Sequence, residues 1–179
     1  MRYFTGFLGI AALAVFIFFL SRMVVDNYEI SGESMRPGIC AGERLLINKM
    51  AYQFSEPCRG EIVYYRSPDG GSDRLKRVIG LPGDIIEIKD RAVYVNGITL
   101  TEPYAKTSPE YSLSSYQVPL NHYYLLEDNR TIIDDSSPGC TVSRDNIMGR
   151  AWIYSWPPEK WGTVDSYPLE PQMIATGLH

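Results

Sequence analysis

A chain of 179 residues, 45% of them hydrophobic, is long enough for one globular domain with an apolar core plus an appendage. Its 17 Lys+Arg against 21 Asp+Glu give a formal charge of -4 with no basic blocks, which argues against a phosphate-tracking surface and against nucleic acid as a partner. Two histidines and three cysteines, none in C-x-x-C spacing, argue equally against a zinc site.

The first element lies between Arg2 and Arg22, where "YFTGFLGIAALAVFIFFLS" carries no charge. As a helix it reaches roughly 28 Å, close to the hydrocarbon thickness of a bilayer, so residues 1–21 are expected to form a transmembrane anchor. A cleaved signal peptide would have a shorter apolar centre followed by a small-x-small site; Ala12-Leu13-Ala14 has that form but lies inside the run, ahead of "VFIFFL". Arg2 and the amino terminus, against Arg22 and Asp26, place the amino terminus in the cytoplasm and residues 22–179 on the other side.

A connector, "SRMVVDNYEI", leads into "SGESMRPGIC" (31–40), whose Ser, Gly and Pro are the ordinary residues of a reversal. Brief β-branched and aromatic runs follow: "RLLIN" (44–48), "EIVYYR" (61–66), "KRVIGL" (76–81), "DIIEIK" (84–89), "AVYVN" (92–96), "YYLLE" (123–127) and "RAWIYS" (150–155), each of strand length. Pro82-Gly83-Asp84 marks a sharp turn and Asn96-Gly97 a tight hairpin, while the Pro/Ser/Tyr-rich 101–117 region is expected to be irregular. The fold class is therefore mostly β, an antiparallel domain on a single N-terminal transmembrane helix. Cys40, Cys58 and Cys140 could supply one disulfide or remain buried thiols, and Trp152, Trp156 and Trp161 suit either a lipid interface or the core.

Chemistry has few carriers. His122 stands at the start of a strand and His179 is the last residue, so neither is expected to serve a Ser-His-Asp triad. The other route to an activated serine is a lysine kept neutral by burial, which can lower an amine from about 10.4 toward ~7–8. Lys76, in "RLKRVIGLPGD", has the apolar setting this needs, and strand alternation separates it from Arg77.

These residues carry a resemblance. "SGESMRP" resembles the serine box of type I signal peptidases, "RGEIVYYRSP" their R-G-D-I-V-x-F strand, "KRVIGLPGD" their lysine box, "VPLNHYYLLEDNR" their V-P-x-G-H-Y-F-x-x-G-D-N-R segment and "IMGRAWIYSWP" their closing G-R-A strand. The resemblance implies a membrane-anchored Ser/Lys-dyad peptidase of the bacterial cytoplasmic membrane, its catalytic domain extracytoplasmic, cleaving signal peptides from exported preproteins without cofactor or metal. By position it implies Ser34 as nucleophile and Lys76 as general base. Gly32 falls beside the oxyanion hole, Arg77 and Asp128 at a supporting ion pair, Asp135 at a buried aspartate near the lysine, and Met35 at an apolar position near the bilayer surface. The chain departs from the family pattern at Gly38, at Glu127 in place of glycine, at Ile133 in place of a serine and at Ser137 in place of an arginine. The last change leaves Arg130 or Arg144 to supply the counter-charge of Asp135. Two alternatives stay open: a specialised maturation peptidase of the same superfamily, of the conjugative pilin type, and a non-catalytic module that binds export substrates.

Overall fold

The computed structural model describes residues 11–16, 18, 22–67, 74–105, 107–131 and 140–167. Among them the strands are β1 (Val25–Glu29), β2 (Arg44–Asn48), β3 (Ile62–Tyr65), β4 (Arg74–Gly80), β5 (Ile85–Lys89), β6 (Ala92–Val95), β7 (Ile98–Thr99), β8 (Leu113–Gln117), β9 (His122–Leu126), β10 (Cys140–Ser143), β11 (Ile147–Trp156) and β12 (Gly162–Thr163). The large sheet has the order β1-β2-β11-β3-β4-β9-β10, with β12 added to β11; the small one has the order β7-β6-β5-β8. Every pairing is antiparallel.

Strand β4 decides where the site can be. Leu75 belongs to an apolar cluster with Met35, Ile39, Leu45, Ile47 and Ile62; Val78 to a second with Val63, Tyr65, Leu125 and Val142; Ile79 to a third with the strands of the small sheet. Both faces of β4 are thus covered, which explains why residues 75–80 are buried without alternation. At Gly80 the cover is so close that a Cβ would meet Ile86 Cδ1 and Tyr124 Cβ at 2.9 Å, so the strand can pass from one sheet to the other only as glycine. The turn that follows is knitted by side chains: Arg59 donates to Asp84 at 2.9 Å, and the same carboxylate accepts from the Leu81 amide at 2.6 Å and the Asn96 side chain at 2.7 Å.

The seven expected strands are present with small shifts of their ends, β11 being longer than expected, and the Asn96-Gly97 turn has the positive φ values the hairpin requires, 52° and 79°. Two segments differ from expectation. The connector at 21–30 contains β1, an edge strand whose polar composition hid its pairing to β2; Tyr28 supplies the anchorage by packing edge-on against Tyr64 at 5.1 Å. The 101–117 region ends in β8, where Ser and Gln residues form a strand because β5 offers an open edge. Residues 11–16, 18 and 22–24 are helical, and no helix among the described residues is long and apolar enough to cross a membrane. The rest of the expected anchor, 1–21, lies outside the described residues.

Candidate active site

Ser34 sits on the loop between β1 and β2, held at several points. Met35 is 1% exposed, and Ile39, equally buried, donates its N–H to the Met35 carbonyl at 2.9 Å, closing a turn around Arg36-Pro37-Gly38. Met35 therefore packs in the core: its side chain completes the cluster of Leu45, Ile47 and Ile62. The loop's far end is fixed where the Cys40 amide donates to the Glu43 carboxylate at 3.1 Å and Tyr154 donates to the Gly38 carbonyl at 3.1 Å. Ser34 is half-buried on this framework.

Lys76 is 4% and Arg77 2% exposed. In register, Lys76 faces Val63 and Arg77 faces Ile62 and Leu126, so the neighbouring cations point to opposite faces, as alternation predicts. Arg77 meets Asp128 through Nε at 2.8 Å and Nη2 at 2.6 Å, and its Nη1 donates to the Gly60 carbonyl at 2.6 Å. Its guanidinium also lies 4.1 Å from the Tyr104 ring centre and 5.3 Å from that of Tyr167. The expected support pair is thus a buried bidentate clamp. Beside it a cavity of about 190 Å³ is lined by Pro37, Gly38, Arg77, Tyr104 and Asp128 among others, on the side away from Lys76.

One short segment connects the parts. Glu127, Asp128 and Asn129 follow β9 directly, and each reaches a different element of the site. Glu127 Oε1 lies 3.6 Å from Lys76 Nζ; Asp128 clamps Arg77; and the Asn129 N–H donates to the Ser34 carbonyl at 2.9 Å while its side-chain amide donates to the Glu33 carbonyl at 3.1 Å. Arg130, 1% exposed, closes the segment by donating Nε to the Glu127 carbonyl at 2.6 Å and binding the Glu102 carboxylate with both terminal nitrogens. The 127–129 turn therefore relates the serine loop to the lysine strand.

The remaining expectations divide. Gly32 is exposed, and a Cβ there would meet no heavy atom within 4 Å, so the protein's own packing does not demand glycine. Asp135, Ile133 and Ser137 lie outside the described residues. Both candidate counter-charges for Asp135 have other partners, Arg130 in Glu102 and Arg144 in Glu56 at 2.7 Å. The His122 ring nitrogen is 2.9 Å from the Leu120 carbonyl, a local contact at the start of β9. Cys40, Cys58 and Cys140 form no disulfide, and the three tryptophans are exposed, outside the core clusters. Sequence reasoning missed the contact of Glu127 with Lys76. The sequence carries no signal for it, because it follows from the β4–β9 register: Leu126 faces Arg77, so the acid one residue further on falls toward Lys76.

The chain is similar to known proteins of one family. Residues 2–156 match the family model described as signal peptidase, peptidase S26. A probable signal peptidase I-2 from Synechocystis sp. is 37% identical over 151 residues, covering 81% of this chain and 69% of its own. A signal peptidase I from Leptolyngbya laminosa is 32% identical, over 83% of this chain and 77% of its own. A signal peptidase IB from Staphylococcus aureus is 32% identical, over 84% of this chain and 87% of its own.

Proposed function

The chain belongs to the signal peptidase S26 family and is a peptidase, and from that premise we propose that it removes N-terminal signal peptides from exported preproteins, with Ser34 as nucleophile and Lys76 as general base. The observation that supports this most directly is the 127–129 turn, which reaches the Lys76 amine, the Arg77 guanidinium and the Ser34 backbone with consecutive residues.

The chemistry is acyl transfer in two steps. The preprotein lies beside the site as an added strand, its register fixed by main-chain hydrogen bonds, and only small side chains fit just before the cut, which gives a small-x-small site. Lys76, in its unprotonated form, takes the Ser34 hydroxyl proton as the oxygen attacks the scissile carbonyl. The Ser34 N–H and the open backbone at Gly32 face the developing oxyanion. The lysine's new proton then passes to the leaving amine, and water cleaves the acyl-enzyme by the same route in reverse. Arg77 and Asp128 take no part in proton transfer; their clamp fixes β4, and with it the root of Lys76. No step requires a metal or cofactor.

Residues 1–21 form the membrane anchor in this reading, with residues 22–179 on the extracytoplasmic side of the cytoplasmic membrane. The exposed Trp156 and Trp161 fit a surface that rests at a lipid interface. The anchor is tested by alkaline extraction of membranes from expressing cells: the full chain should stay in the pellet, and its release into the supernatant would remove the anchor from the proposal.

For the chemistry, the full chain is incubated with a preprotein carrying an Ala-x-Ala site. Ser34→Ala and Lys76→Ala should each lower the cleavage rate at least about a thousandfold while leaving the fold intact. Absence of product from the unsubstituted chain would refute the peptidase reading for this substrate class, and persistent cleavage by either variant would refute its assigned role.

A further inference from the structure

Glu127 is the departure from the family pattern that the structure brings to the centre of the site. Its carboxylate and the Lys76 amine approach to 3.6 Å with side chains only 12% and 5% exposed. Two features make the placement more than a chance rotamer. The residue comes one position after the last ladder pair, Leu126 with Arg77, so antiparallel register carries it toward Lys76, and its carbonyl is held by Arg130, whose own carboxylate partner Glu102 also accepts from the Tyr104 hydroxyl at 2.7 Å.

Among the described residues, other titratable groups near the pair come from several elements. Tyr65 is on β3, Arg74 is on β4, Cys140 is on β10 with its sulfur 3.5 Å from the Tyr65 hydroxyl, and Tyr111, Glu102 and Arg130 stand on the side of the 101–112 segment. Burial pushes the Tyr65 phenol up, with Cys140 and Glu127 adding to it, and burial likewise raises Tyr111. Both phenols therefore stay neutral through the working range, and the arginines stay charged. Among the described residues, the Lys76–Glu127 contact is the close approach of opposite charges on this face of β4.

We propose that Glu127 is a positioning residue that pairs with the Lys76 ammonium in the substrate-free enzyme, so that release of that proton to solvent, and with it peptide cleavage, begins at higher pH than the serine and lysine alone would set. The inference rests on the reading of Lys76 as the base. Its physical ground is that a carboxylate within about 4–6 Å favours the protonated amine by roughly 1–3 pH units, and more strongly where water is scarce.

The test is the pH profile of kcat/KM between pH 6 and 10, measured with the full chain and a quenched peptide containing an Ala-x-Ala site. Glu127→Gln keeps the shape and removes the charge; it should move the midpoint of the acid limb down by about one pH unit or more, which raises the rate on that limb about tenfold. Glu127→Gly, the family's residue, should move it the same way and serves if the Gln variant does not fold. A residue with a packing role alone would scale the rate at every pH and leave the midpoint in place. A midpoint unchanged or moved upward in a folded variant overturns the inference. If Lys76→Ala still cleaves, the assignment of the base fails and the inference with it; if Lys76→Ala is inactive and the midpoint does not move, Glu127 alone is excluded.

Discussion

The two faces of β4 hold their buried cations differently. On one face Arg77 meets both oxygens of Asp128 within 2.8 Å, a backbone carbonyl and two aromatic rings, so its donors and its planar surface are both engaged. On the other face Lys76 stands 3.6 Å from Glu127, beyond ordinary hydrogen-bond length. The residues are adjacent, both are nearly dry, and both meet acids from one turn. Side-chain chemistry makes the difference: a guanidinium keeps its charge and suits bidentate carboxylate geometry, whereas an ammonium is compact, rotatable and able to give up a proton. One face holds its cation in a bidentate clamp, and the other holds its cation at a longer ion-pair distance.

That contrast can be broken first at its rigid side. Asp128→Ala leaves a guanidinium buried without its carboxylate, and removal of one partner from a buried pair costs about 3–5 kcal/mol. Urea unfolding should show a loss of this size; a loss below about 1 kcal/mol would mean that the neighbouring carbonyls suffice for Arg77 and that the clamp is not what fixes β4. The contrast is then sharpened at the surface, where Arg44 and Glu29 pair at 2.9 Å with side chains 50% and 59% exposed. Arg44→Gln should change stability by no more than about 0.5 kcal/mol in the same assay, because exposed pairs are screened and entropically costly. A change comparable to that of Asp128→Ala would show that ion pairing as such, and not burial, separates the regions.

The β-branched runs made the interior strands legible, because a strand covered on one or both faces must be apolar whatever its neighbours. Edge strands were not legible for the converse reason. β1 and β8 are defined by partners with unpaired edges, and neither "VDNYE" nor "LSSYQ" needs apolar residues on both faces. At the site, Arg77 with Asp128 came from the resemblance and is found as a clamp, while Ser34 and Lys76 are found on a tethered loop and a buried strand respectively. The contact of Glu127 with Lys76 was not legible because it depends on the β4–β9 register, which joins residues 51 apart and is set by packing on both sheets. The burial of Met35 was not legible for a similar reason: its sequence neighbours are a turn, and only tertiary folding turns it toward Leu45 and Ile47.

Met35 has a wider consequence. The residue next to Ser34 is an interior one, so the placement of that serine inherits the stiffness of close-packed aliphatic matter and not the looseness usual for a connecting segment. Whatever resizes the hollow beneath the loop also re-aims its crest, and the tolerance of this molecule to change at distant apolar positions is bounded by how far that crest can drift.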